Sequence, residues 1–194
     1  MNDLNLVPID EYGLLGESYY WVNRKRLSIK ESDLCAAGIS DDRVLVHKKI
    51  IEPLLQADYA LRRDGYRLFV KEGWRPDALY DLAYKNFVRK HGKKKTDRLF
   101  NLDDRPHTTG CSVDVVLCSK RRGGVVHLRG AKDGQDACFV DFYRDKTDAI
   151  SVLYHHRQQL LIRAMFDAGF RLGRKREYWH FDYKPDSPFN YDFS

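Results

Sequence analysis

A carboxylate interrupts an otherwise apolar run, Ser112-Val113-Asp114-Val115-Val116-Leu117-Cys118. The run has the length and residue types of a β-strand. With side chains alternating, Asp114 shares a face with Ser112, Val116 and Cys118, and Val113, Val115 and Leu117 take the other. An ionised carboxylate in such a strand is costly to bury unpaired, so a metal ion or a strong hydrogen-bond network must meet it. The preceding segment, Arg105-Pro106-His107-Thr108-Thr109-Gly110-Cys111, holds an imidazole. Gly110 permits a tight turn that brings His107 back beside Asp114. About seventy residues on, Glu177-Tyr178-Trp179-His180 adds a second imidazole and a second carboxylate.

His107, Asp114 and His180 together offer two nitrogens and one oxygen. That set suits one zinc ion per chain at neutral pH, and cobalt or nickel fit the same donors. Three protein ligands with a free position describe a catalytic zinc site, since structural sites are closed by four. The spacing differs from the H-E-x-x-H helix of many zinc peptidases. Such an ion lowers the pKa of its water to roughly 7 and polarises a carbonyl. Glu177 then serves as general base, taking the water proton and passing it to the leaving amine. Glu177 lies three residues before His180, and in a flat strand the two would face opposite sides, so a bend or bulge is required there. Taken alone, each histidine reads as a surface or satisfied core residue, Asp114 as a turn cap and Glu177 as a partner of Arg174 or Lys175. The joint pattern is what favours a metal-dependent hydrolase.

The periodicity around these motifs predicts an α+β fold, a small, mostly antiparallel sheet with packed helices. Residues 44–63 carry a helical stripe (Ile50, Ile51, Leu54, Leu55, Leu61), with Pro53 starting or kinking it and Gly65 ending it. Residues 66–71 read as a strand. Asp77 then caps a helix bearing Leu79, Leu82, Ala83 and Phe87. Arg75, in Gly73-Trp74-Arg75-Pro76-Asp77, therefore sits at a strand-to-helix junction, where a guanidinium can stabilise a developing oxyanion. A structural ion pair is its plainer role. Residues 149–168 form a helix stopped by Gly169, and 178–183 form a last strand. Residues 118–150 read as a hairpin or an excursion near the site. The chain reads as one domain over 1–194, with 1–43 an N-terminal wrap of loops and short strands and 44–183 the core.

The chain has 194 residues, 43% hydrophobic and 32% charged, the balance of an ordinary globular protein. No apolar run approaches a membrane span, and no basic segment followed by an apolar one opens the sequence, so the expected location is the cytoplasm. Cys35, Cys111, Cys118 and Cys138 suggest neither a disulfide framework nor a zinc ribbon, and buried free thiols are expected. The net charge of +6 gathers at Arg89–Lys95, Lys120–Arg122 and Arg171–Arg176. These runs carry few aromatics for base stacking, which argues for solvated loops over nucleic-acid binding.

His107-x6-Asp114 with Gly110 in the turn, followed by Glu177-x-Trp179-His180, resembles the zinc D-peptidases of the VanX type, the D-alanyl-D-alanine dipeptidases. Trp74-Arg75-Pro76 is similar to that family's Tyr-Arg-Pro segment, and His156-Arg157-Gln158-Gln159-Leu160-Leu161 with Met165 and Gly169-Phe170 to its last helix. The resemblance covers residues 44–183. It implies zinc in a central cleft held by His107, Asp114 and His180, Glu177 as base, and Arg75 on the transition state. The implied reaction is hydrolysis of D-Ala-D-Ala to two D-alanines. The same motifs occur in D,D-carboxypeptidases and phage endopeptidases that act on peptidoglycan stems, which is the alternative substrate class. A non-catalytic relative that binds a partner is a third reading. The chain departs from the family at Arg105, where a Ser is usual, at Ser112, where an Ala is usual, and over Cys138-Phe139-Val140-Asp141-Phe142. Arg105 is thereby a candidate for a substrate carboxylate and Asp141 for a substrate ammonium. Oligomeric state is not legible.

Overall fold

The computed structural model describes residues 4–100 and 103–193. Residues 1–3 of the expected N-terminal wrap and Ser194 lie outside the described residues. In chain order the elements begin with β1 (Leu6–Pro8), β2 (Leu15–Gly16), α1 (Tyr19–Val22), α2 (Arg24–Leu27), α3 (Glu31–Ala36), β3 (Leu45–His47), α4 (Ile51–Leu61) and β4 (Tyr66–Glu72). They continue with α5 (Asp77–His91), α6 (Lys93–Leu99), β5 (Ser112–Ser119), α7 (Ala149–Asp167), β6 (Phe170–Leu172) and β7 (His180–Tyr183). The fold is α+β, a small sheet packed against helices, as the periodicity predicts. Its five strands run in the order β2-β4-β5-β7-β6. Among the described residues no helix is long and apolar enough to cross a membrane.

Two compact units interleave along the chain, residues 1–48 with 70–113, and residues 49–69 with 114–194. In the first, β1 pairs antiparallel with β3, Leu6 opposite His47. Residues 44–50 were expected to open a helix. They form β3 and a 3-10 turn instead, because the alternating Val44-Leu45-Val46 finds a partner strand nearly forty residues away. Residues 19–36, expected as loops, form three helices of four to six residues. Helices this short show no apolar stripe and gain their stability from packing. Tyr20, Leu27, Ile29, Leu34, Ala37 and Ile39 bury themselves against Leu79 and Ala83 of α5. Pro76 takes the cap position of α5, and Asp77, expected as the cap, is its first helical residue. The basic run 93–95 opens α6 rather than lying in a loop.

In the second unit, α4 packs on α7. Pro53 falls in the first turn of α4, where its missing N–H costs nothing. Asp148 caps α7 by accepting from the Ser151 N–H at 3.0 Å, and Gly169 ends it with φ +89°. β6 and β7 are antiparallel, Arg171 opposite Asp182. The 118–150 excursion starts as a short hairpin (Cys118 opposite Val125) and returns so that Phe139 bridges Glu177. Tyr143, fully buried, donates to Asp133 at 2.5 Å and accepts from the Gly130 N–H, which pins the excursion to itself. Cys118 and Cys138 are buried free thiols as expected, whereas Cys35 is exposed and Cys111 half-buried.

α4 is registered on β4 by Asp58, a fully buried carboxylate that accepts from Arg62, Arg67 and the Leu68 N–H. Asp58→Ala would strand that buried N–H and remove the carboxylate that Arg62 and Arg67 share. We expect it to lower the unfolding free energy by about 2–4 kcal/mol, read from the midpoint of a urea transition.

Candidate metal centre

His107 lies in a 3-10 turn, Pro106–Thr109, and is 2% exposed. Gly110 closes that turn with φ +69°, and a Cβ there would sit 2.9 Å from the His47 nitrogen, so the turn needs the glycine on both counts. His107 Nδ1 is 2.8 Å from the Gly73 carbonyl oxygen. A carbonyl only accepts, so Nδ1 carries the proton and Nε2 keeps its lone pair for a metal. Two main-chain bonds fix the residue further. Its N–H donates to the Tyr80 hydroxyl at 3.1 Å, and its carbonyl accepts from the Arg75 N–H at 3.1 Å.

Asp114 and His180 meet on neighbouring strands. The β5–β7 pairing sets them side by side, with the Val115 N–H donating to the Trp179 carbonyl at 2.8 Å. His180 Nδ1 is 2.8 Å from Asp114 Oδ1, and its Nε2 is 3.4 Å from Asp182 Oδ1. His180 and Asp182 are two apart on a strand and so share a face. Burial works against the imidazolium, but the bonds to Asp114 and Asp182 outweigh it and push His180 up to about 10. Without a metal, then, a proton on His180 supplies the positive charge that Asp114 requires. Gly173 makes room for the ring, since a Cβ there would lie 2.1 Å from His180 Cδ2. That ring is held on both edges and has nowhere to go.

The bend demanded between Glu177 and His180 is a turn. The His180 N–H donates to the Glu177 carbonyl at 3.2 Å, and β7 starts only at His180. Glu177 is 4% exposed. Burial pushes its carboxyl up to about 7, with His180 pulling it down and Asp114 pushing it up.

The ligand atoms of His107, Asp114 and His180 all lie within 4.8 Å of one another. An ion with bonds of about 2.0–2.2 Å to nitrogen and oxygen can span donors so spaced. Nδ1 of His107 is tied to a carbonyl, which turns Nε2 to the metal side, and Nδ1 of His180 lies against the Asp114 carboxylate, so the donor set fits a divalent metal.

Arg75 is 8% exposed, with its guanidinium over the rings of Tyr20 and Tyr80 at 5.0 and 4.7 Å and 3.8 Å from Glu72. Arg105 is engaged by Asp77 at 2.9 Å and Asp81 at 2.7 Å. Asp141 is engaged by Arg144 at 3.3 Å and Arg176 at 3.2 Å. Sequence reasoning passed over Asp182, Gly173 and the Gly73 carbonyl. Only the first left a signal, a His-x-Asp spacing within a strand.

A family model described as D-ala-D-ala dipeptidase, Peptidase_M15, matches residues 35–194. No curated protein matches the chain. Among solved structures it is similar to the LdcB LD-carboxypeptidase, at 18% identity and TM-score 0.47, over 73% of this chain and 61% of that one. It is also similar to the vancomycin-resistance D,D-dipeptidase VanXYg, solved with a D-Ala-D-Ala phosphinate analogue, at 20% identity and TM-score 0.46, over 76% of this chain and 53% of that one. The chain thus spans 61% and 53% of the lengths of these two structures.

Two outcomes follow from this geometry. Because His180 holds its proton up to about 10, metal uptake at pH 7 must expel it. Calorimetry in buffers of different ionisation enthalpy at pH 8.5, where Glu177 is already ionised, should give about one proton released per ion, with apparent affinity rising about tenfold per pH unit from 8 to 9. Gly173→Ala should weaken divalent-metal affinity by at least about tenfold in a chelator competition, since the methyl group displaces the His180 ring.

Proposed function

Because the chain belongs to the M15 peptidase family, we propose that it is a zinc peptidase that hydrolyses D-Ala-D-Ala to two D-alanines. The observation that carries this reading is the meeting of His107, Asp114 and His180 within 4.8 Å, with the buried carboxylate of Glu177 electrostatically coupled to Asp114 and His180. A zinc ion held by those three residues supplies an acidified water and a Lewis acid for the scissile carbonyl. The remaining steps belong to side chains of this protein.

Glu177 takes the proton of the attacking water. Its raised affinity for protons makes the carboxylate a stronger base than an exposed one, and the same affinity lets it deliver that proton to the leaving amine. Arg75, with its guanidinium against the Tyr20 and Tyr80 rings, brings a positive charge to the oxyanion of the tetrahedral intermediate. Asp182 and the Gly73 carbonyl orient the two imidazoles. Arg105 and Asp141, engaged by their ion pairs, are left out of the chemistry. Their substrate-binding role would require them to exchange those partners for the ends of a dipeptide.

The net charge of +6 favours a second substrate class, the peptide stems of an anionic cell wall. The test is release of D-alanine by zinc-loaded protein from D-Ala-D-Ala, from L-Ala-L-Ala and from a stem pentapeptide ending in D-Ala-D-Ala. Turnover of the D,D-dipeptide alone is expected. Cleavage of the pentapeptide instead moves the protein to cell-wall stems, and silence on all three rejects the peptidase reading. Glu177→Ala should retain the metal and lose turnover by at least about 10³-fold, while His180→Ala loses both. The acid limb of kcat/KM in the wild type should fall at or below pH 7, the metal-free value of Glu177, since a bound cation lowers it further.

A further inference from the structure

Arg176, the residue before Glu177, has φ +58°, one of three non-glycine residues with positive φ among those described. An L-residue with a long side chain disfavours this left-handed region, so the surrounding structure must hold it there. Four bonds do so. The Arg176 N–H donates to the Gly173 carbonyl at 2.9 Å, which closes the turn after β6. Its own carbonyl accepts from the Val140 N–H at 3.2 Å. Its guanidinium donates to the Asn190 carbonyl at 2.9 Å and to Asp141 at 3.2 Å. On the far side of Glu177, the Tyr178 N–H donates to the Cys138 carbonyl at 3.2 Å.

From these contacts we infer that Arg176 is a positioning residue, whose left-handed backbone, locked by the Asp141 ion pair and the Val140 bridge, aims the Glu177 carboxylate toward Asp114 and His180. The extended path of β6 would carry position 177 onward along the strand. The turn Gly173–Arg176 reverses the chain, and left-handed Arg176, which ends that turn, delivers Glu177 to its bridge with Phe139 and lets the next turn bring His180 into β7. The 118–150 excursion thereby acts on the site through backbone pairing. The inference rests on Glu177 as the base.

Its test separates backbone conformation from side-chain chemistry. Arg176→Gly and Arg176→Asn tolerate positive φ, and Arg176→Val does not. Zinc-loaded Arg176→Val should lose about 10²-fold in kcat with KM within twofold and zinc content unchanged. Arg176→Gly and Arg176→Asn should stay within about fivefold of wild type in kcat. Asp141→Asn, which leaves residue 176 itself intact, should fall between and guards against a valine variant that fails to fold. Equal losses in the glycine and valine variants overturn the inference, as does an unimpaired valine variant. Crystal structures of the same variants read the geometry without substrate. The Glu177 carboxylate should remain beside Asp114 and His180 in the glycine variant and leave them in the valine variant. If wild type cleaves none of the peptides, the base role fails, and these structures still decide whether Arg176 sets the direction of Glu177.

Discussion

The pair formed by Asp114 and His180 sets the terms for the rest of the site. A carboxylate inside an apolar strand needs a positive charge, and at 2.8 Å the imidazole provides one by keeping its proton. That solution is expensive, because it buries an ion pair. A divalent cation held by Asp114 and His180 would satisfy the carboxylate and leave the imidazole neutral. The protein is therefore poised to exchange a proton for a metal. Asp182 on the outer edge of the ring and Gly173 beneath it keep the imidazole in place through that exchange.

The two histidines reach their positions by different means. His107 is held by main-chain groups, the Gly73 carbonyl on its ring and the Arg75 N–H on its carbonyl, in a turn that Gly110 alone can close. His180 is held by carboxylates on a hairpin strand. The first arrangement tolerates changes of side chain around it and resists changes of glycine. The second depends on charge, and so on pH.

Much of this was legible in the chain. The chemistry-bearing residues sit at short, fixed spacings, and strand periodicity placed Asp114 on a buried strand and required a bend before His180, which the Glu177–His180 turn supplies. The parts that were not legible depend on partners distant in sequence. Val44–His47 reads as the start of a helix until β1 is there to pair with it. The helices between Tyr19 and Ala36 are too short for a stripe and exist because Leu79 and Ala83 of α5 cover them. The ion pairs of Arg105 with Asp77 and Asp81, and of Asp141 with Arg176, were not legible because these partners lie far away in sequence. Gly173 carries no signal at all, since its role is the space it leaves for another residue's ring.

The 66 residues that separate Asp114 from His180 give the bond between them a second meaning. A metal joining both would close a loop of that length, as a removable cross-link does, and the entropy of that closure is charged to the unfolded chain. Proteolytic sensitivity of the β6–β7 hairpin would then report the supply of free metal in the surroundings.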